Sequence, residues 1–82
     1  MKVPLYERVA LTRDLGEHGL RKGDVGVVVD YVRHSQGGED GALLEVFNAV
    51  GESIAVVAVR VSDIEPMRAD EVLAVRSLAK AG

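Results

Sequence analysis

The strongest hydrophobic pattern in the chain is Val25-Gly26-Val27-Val28-Val29-Asp30-Tyr31-Val32, preceded by Leu20-Arg21-Lys22-Gly23-Asp24. A Lys-Gly-Asp turn opens a run in which both phases of a two-residue period are apolar. Val25, Val27, Val29 and Tyr31 fall on one phase; Val28 and Val32 share the other with Gly26 and Asp30. Such a run predicts a strand covered on both faces, or one that bends sharply in a small barrel. Gly26 marks a bulge or a close backbone approach. The remaining segments are expected to pair with this strand.

Arg8-Val9-Ala10-Leu11-Thr12 alternates, with Val9 and Leu11 on one face, and predicts a first strand after an extended lead-in around Pro4. From Arg13 to Lys22 the alternation dissolves into Asp14, Gly16, Glu17, His18 and Gly19, a long loop anchored by Leu15 and Leu20. Arg33 to Gly41 holds almost nothing to bury and predicts a hairpin tip. Ala42 to Asn48 predicts a third strand, with Leu44 and Val46 on one side and Leu43, Glu45 and Phe47 on the other. A turn at Asn48-Ala49-Val50-Gly51 leads to a fourth strand, Ser53 to Val61, and Ser62 to Pro66 reads as one 3₁₀ turn closed by proline.

After Pro66 the pattern changes period. Ala69 to Lys80 places Asp70 and Glu71 early and Arg76 and Lys80 late, with Val72, Val75 and Ala79 at helical spacing and Leu78 alongside. This predicts a terminal amphipathic helix whose charges suit the macrodipole, too short to be stable without docking. The fold class expected is all-β: a small five-stranded SH3-like barrel over residues 1–68, with a C-terminal α-helix over residues 69–82 appended to the same domain.

Two sets of residues resemble known families. Leu20 to Val28 is similar to the glycine-bearing turn and strand of KOW-type barrels and of the barrel domain of the nitrile hydratase β subunit. A wider likeness runs through Arg8 to Thr12, Lys22-Gly23-Asp24-Val25-Gly26, Leu44 to Glu52 and Ile64-Glu65-Pro66. Together these resemble a bacterial family of small uncharacterised single-domain proteins, common in cyanobacteria, some of which stand beside a second small gene in the manner of toxin–antitoxin pairs. The resemblance implies an SH3-like barrel and a small protein partner, and it carries over no catalytic residue.

Composition narrows the chemistry. At 82 residues the chain hides only roughly 60–65% of its unfolded surface, so stability is thin and a partner would help it. The core must be aliphatic, because one Phe, two Tyr and no Trp contribute to a hydrophobic fraction of 48%. A formal charge of −3 has the wrong sign for general attraction to phosphates. The absence of cysteine removes thiolate nucleophiles, disulfides and the commonest zinc ligands. No run approaches the ~18 apolar residues of a membrane span, and the residues read as those of a cytoplasmic protein.

No catalytic constellation emerges. His18 and His34 sit in different loops, each near carboxylates, and read as solvated; no metal or other cofactor is expected. The serines lack nucleophile-elbow glycines, and the glycines around Lys22 precede a strand rather than a phosphate-binding helix. RNA contact through Arg13, Arg21, Lys22 and Arg33 is the alternative implied by KOW-type barrels, but Asp14, Glu17, Asp24, Glu39 and Asp40 lie among those cations and stacking aromatics are few. The more telling feature is apolar surface. If Leu44 and Val46 point inward, Leu43 and Phe47 point outward around Glu45, and either the terminal helix or another chain must cover them. The expectation is a non-catalytic protein-interaction module using Leu43, Glu45, Phe47, Val72, Val75 and Leu78, antitoxin-like or accessory, with a neighbouring-gene product or a second copy as partner.

Overall fold

The computed structural model describes residues 3–34 and 36–78. Five strands form one antiparallel sheet: β1 (Arg8–Leu11), β2 (Val25–Val32), β3 (Gly41–Phe47), β4 (Ser53–Arg60) and β5 (Ile64–Pro66), in the order β4-β3-β2-β1-β5. Single 3₁₀ turns lie at Gly16–His18 and Val61–Asp63. The expected strands are therefore present within a residue or so of their predicted bounds, and the 3₁₀ turn comes one residue early, leaving Ile64-Glu65-Pro66 free to pair with β1.

Alternation decides what is buried. Val9 and Leu11 of β1, Val28 of β2, Ala42, Leu44 and Val46 of β3, Val57 and Val59 of β4, and Ile64 of β5 form one aliphatic core, which Leu15 and Leu20 cap from the long loop. The two loop leucines exchange backbone hydrogen bonds in both directions, Leu15 N to Leu20 O at 2.9 Å and Leu20 N to Leu15 O at 3.1 Å, which fixes the anchors that the sequence predicts.

β2 bends at two features. A register shift between Val28 and Asp30 turns Tyr31 toward the core side, opposite Ala42, and sets Asp30 opposite Leu43 on the outer face. Gly26, flanked by Val9 and Val46 across the sheet, is the close approach: a Cβ there would lie 2.6 Å from Leu44 Cγ and 3.0 Å from Glu45 O.

Two expectations are corrected. The sheet is not closed into a barrel; β4 and β5 are its edges, and among the described residues no ladder joins them. It is nevertheless curled. From Arg60 to Ile64 the chain can span at most about 14 Å, less than the roughly 19 Å that would separate the edge strands of a flat five-stranded sheet. β5 is only three residues long and is spent on β1, so it has no length left to pair with β4.

Among the described residues the terminal helix is also absent. A turn forms at Arg68–Glu71, with Glu71 N donating to Arg68 O at 3.1 Å and Arg68 N to Glu71 Oε1 at 2.6 Å, and then goes no further; residues 71–78 are irregular. About twelve residues do not sustain a helix in water without a docking face, and β-branched Val72 and Val75 lower its propensity. The predicted residues 79–82 lie outside those described. The segment instead runs as a strap along the outer side of the sheet, where Glu71, Val72 and Leu73 line a groove with Ala10 and Val25, and Arg76 and Leu78 line another with Val25 and Phe47.

Gly26→Ala is expected to lower stability by about 1–3 kcal/mol through overpacking against Leu44. Gly16→Ala, where nothing lies within 4 Å of the added methyl group, is the control and should shift the urea midpoint little.

Candidate functional site

Polar bonds at the Val61–Asp63 turn extend the β1–β5 and β3–β4 pairings and draw the end of β1 and the β2–β3 hairpin tip to one point. Thr12 N donates to Asp63 O at 2.8 Å and Thr12 Oγ1 to Ser62 O at 2.9 Å. Ser62 N and Oγ donate to the Glu39 carboxylate at 2.6 and 2.9 Å, and Val61 N to Asp40 O at 3.1 Å. At the centre is Asp63, only 4% exposed and the one buried charged side chain among the described residues. Its carboxylate accepts from Arg13 Nε at 2.7 Å and from Arg60 N at 3.0 Å. Burial works against the charged form, but the Arg13 guanidinium and the Arg60 amide outweigh it, and Asp63 titrates below the usual aspartate range.

A second charged pair ties down the strap. The Asp24 carboxylate accepts from Arg21 N at 2.8 Å and faces the Arg76 guanidinium, with Nε at 3.1 Å from Oδ1 and Nη2 against Oδ2; Nη2 also donates to Gly19 O at 3.3 Å. Partial burial again opposes the charge, and Arg76 together with the Arg21 amide holds the Asp24 carboxyl below its ordinary value. The pair escapes sequence reasoning because Arg76 is 52 positions away and its segment reads as helical.

The predicted interface residues divide. On β3 the phase is as expected: Leu44 and Val46 are buried, Leu43 and Glu45 half-buried, and Phe47 39% exposed. Leu43 lies opposite Ala58, and Glu45 opposite Val56, while Ser53 Oγ donates to Glu45 Oε2 at 2.6 Å. Val72 and Val75, each 91% exposed, form no helical stripe; Leu78 stands beside Phe47 at the groove. The strap thus shelters part of the outer face, and Ile54, Val56 and Phe47 stay uncovered. A register shift between Ala55 and Ser53 leaves Ile54 out of the ladder at the β4 edge.

Acidic groups lie close to three of the four cations of the RNA alternative. Arg13 is committed to Asp63, and the amides of Arg21 and Lys22 are bonded to the Asp24 and Asp14 carboxylates, which sets acids beside those side chains. Arg33 lies beyond the far end of β2, a strand about 25 Å along its contour. His34 Nδ1 accepts from the Gln36 and Gly38 amides, each at 3.1 Å, and so organises its own hairpin tip. Among the described residues no three His, Asp or Glu side chains are grouped to hold a metal ion, and no helix is long and apolar enough to cross a membrane.

One feature has no signal in the sequence: Tyr6, 73% exposed, has a left-handed backbone with φ of 70°, while its amide donates to Val28 O. The bond continues the β1–β2 pairing outward, and together with Glu7 O, which accepts from Val28 N at 3.1 Å, it holds the lead-in against the sheet.

The chain is thus a small all-β domain with a curled antiparallel sheet, an aliphatic core and an apolar outer face crossed by its own terminal strap. Residues 5–66 match the family described as a domain of unknown function, DUF4926, and the chain belongs to that family. No curated protein and no solved structure matches it. The matched span covers all five strands and stops at Pro66, before the strap.

Because the folded pKa of Asp63 lies below its ordinary 3.8, the folded state binds fewer protons than the unfolded chain near that pH. Its contribution is complete above 3.8 and disappears as pH falls through the depressed value. The urea midpoint should therefore drop between pH 5 and pH 2, and Asp63→Asn should flatten that drop. Asp63→Ala, which strands the Arg60 amide, should cost about 1–3 kcal/mol at neutral pH.

Proposed function

We propose that the chain is a non-catalytic protein-interaction module, read as an SH3-like barrel of the open kind, acting in the bacterial cytoplasm as an antitoxin-like or accessory protein. The strand order β5-β1-β2-β3-β4, with a 3₁₀ turn leading into β5, supports that finer fold reading. One observation carries the functional reading: large apolar side chains stay in water on one chain of this size. Phe47, Ile54, Val56, Leu73 and Leu78 are between 39% and 58% exposed and Val72 and Val75 are 91% exposed. Surface of this kind is stabilised by a partner.

In this reading Leu43, Phe47 and Val56 provide the apolar centre of the contact. Glu45, oriented by Ser53, and the charges at its margins select the partner by penalising like charge and unpaired burial. The partner is either the product of a neighbouring gene or a second copy.

Sedimentation of the purified chain over a wide concentration range, alone and mixed with the product of the adjacent gene, tests this. Association is expected in one of the two settings, and Leu43→Lys or Phe47→Lys should weaken it at least tenfold, about 1.4 kcal/mol. A wild-type chain that stays monomeric and ignores that product would overturn the reading.

A further inference from the structure

The groove that holds the end of the strap has two chemically distinct halves. One is a fork for a guanidinium, made of the Asp24 carboxylate and the Gly19 carbonyl, with Asp24 already oriented by the Arg21 amide. The other is apolar, walled by Leu20, Val25, Val46, Phe47 and Ile54; the open groove as a whole, with Arg76 and Leu78 among its walls, holds about 520 Å³. Arg76 engages the first half and Leu78 borders the second, while Val75 and Ser77, on either side of Arg76, face water. That i, i+2 division is how an extended peptide presents alternate side chains to a surface.

We propose that this groove is a recognition site for an extended segment of a partner protein carrying an arginine followed two residues later by an aliphatic side chain, and that Arg76–Leu78 occupies it as a built-in stand-in. The proposal rests on the interaction-module reading and names the chemistry of the partner. The fork selects arginine over lysine, because a carboxylate and a carbonyl at an angle match a planar multidentate donor.

The resident segment holds the groove weakly. Among the described residues no backbone hydrogen bond ties 72–78 to the sheet, Leu78 remains 52% exposed, and the only ion pair between the strap and the sheet domain is Arg76–Asp24. Its occupancy comes from being tethered, which raises its local concentration without adding contacts. A partner segment that filled the apolar half and added backbone bonding would displace it. The walls of the groove lie within the residues that match the family, and their occupant lies outside.

The test is a titration of a capped, fluorescently labelled peptide with the sequence of residues 71–78 against the full chain, read by anisotropy. Wild type should bind weakly because its own strap competes. Arg76→Glu, which releases the strap, should bind at least tenfold tighter, and adding Asp24→Asn should remove that gain. Replacing the peptide's arginine by lysine, or its last leucine by serine, should each cost several-fold. Amide NMR spectra of the variants confirm that the sheet is intact.

Absence of binding to a folded Arg76→Glu chain, or binding indifferent to Asp24, would overturn the assignment. So would a wild-type dimer that Arg76→Glu abolishes, since that gives the groove to a second copy's strap. The broader module reading fails separately. Leu43 lies outside the groove, so Leu43→Lys changes association through the outer face and leaves the peptide titration as it was.

Discussion

The curled sheet depends on one buried carboxylate. β4 and β5 do not pair, so nothing in the backbone ladder prevents the two edges from splaying apart. Asp63 supplies the restraint. It stops β4 by accepting the Arg60 amide, and it holds the end of β1 by binding Arg13. A carboxylate so enclosed would be costly without both partners, and with both it fixes the direction in which the chain leaves one edge and enters the other. Glu39 then ties the hairpin tip to the same turn through Ser62. The aliphatic core is shaped by this arrangement, because curling brings Ile64 and Leu11 from one edge toward Val57 and Val59 of the other.

Curling has a consequence for the opposite face. A small sheet has one concave side, and the aliphatic residues available to fill it number more than it can accept. Both phases of β2 are apolar, so satisfying Val28 inside leaves Val25 and Val27 outside, only half-buried. The strap covers part of that excess, near Ala10 and Val25. It does so with two valines turned to water, each 91% exposed. A helix would have placed Val72, Val75 and Leu78 on one stripe; the extended strap cannot, and the Arg76–Asp24 pair gains by its extension.

The sheet was legible because its signals are local. Alternation in β1 and β3, the glycine turns and the β-branched run of β2 each need only a few neighbouring residues to be read, and the loop leucines stand out against polar surroundings. The outward phase of Leu43, Glu45 and Phe47 followed directly. What could not be read depends on distant pairs: Asp63 with Arg13, Asp24 with Arg76, and the bulges at Val29 and Ile54 that reset which side chains face outward. The terminal segment misled for a physical reason. Val72, Val75 and Ala79 have helical spacing, and helical spacing describes which face a helix would present, while the decision to form one depends on length and on a docking surface. Here the nearest surface offered a carboxylate and a groove, which an extended chain meets better.

The family span adds the last step. The residues up to Pro66, where the family match ends, contain all five strands, the Asp63 clasp and Asp24. Asp24 also has a structural duty within that span, since its side chain accepts the Arg21 amide and its carbonyl accepts the Leu11 amide at 2.9 Å. A carboxylate engaged on one side by the turn still carries a full negative charge and unfilled acceptor capacity on the other. That remaining capacity faces an apolar groove at the edge of the outer face, and charge at the rim of a greasy surface is what converts unselective burial into choice of partner. In this chain the strap satisfies it, and the same geometry is open to any extended segment that offers a guanidinium at the right spacing.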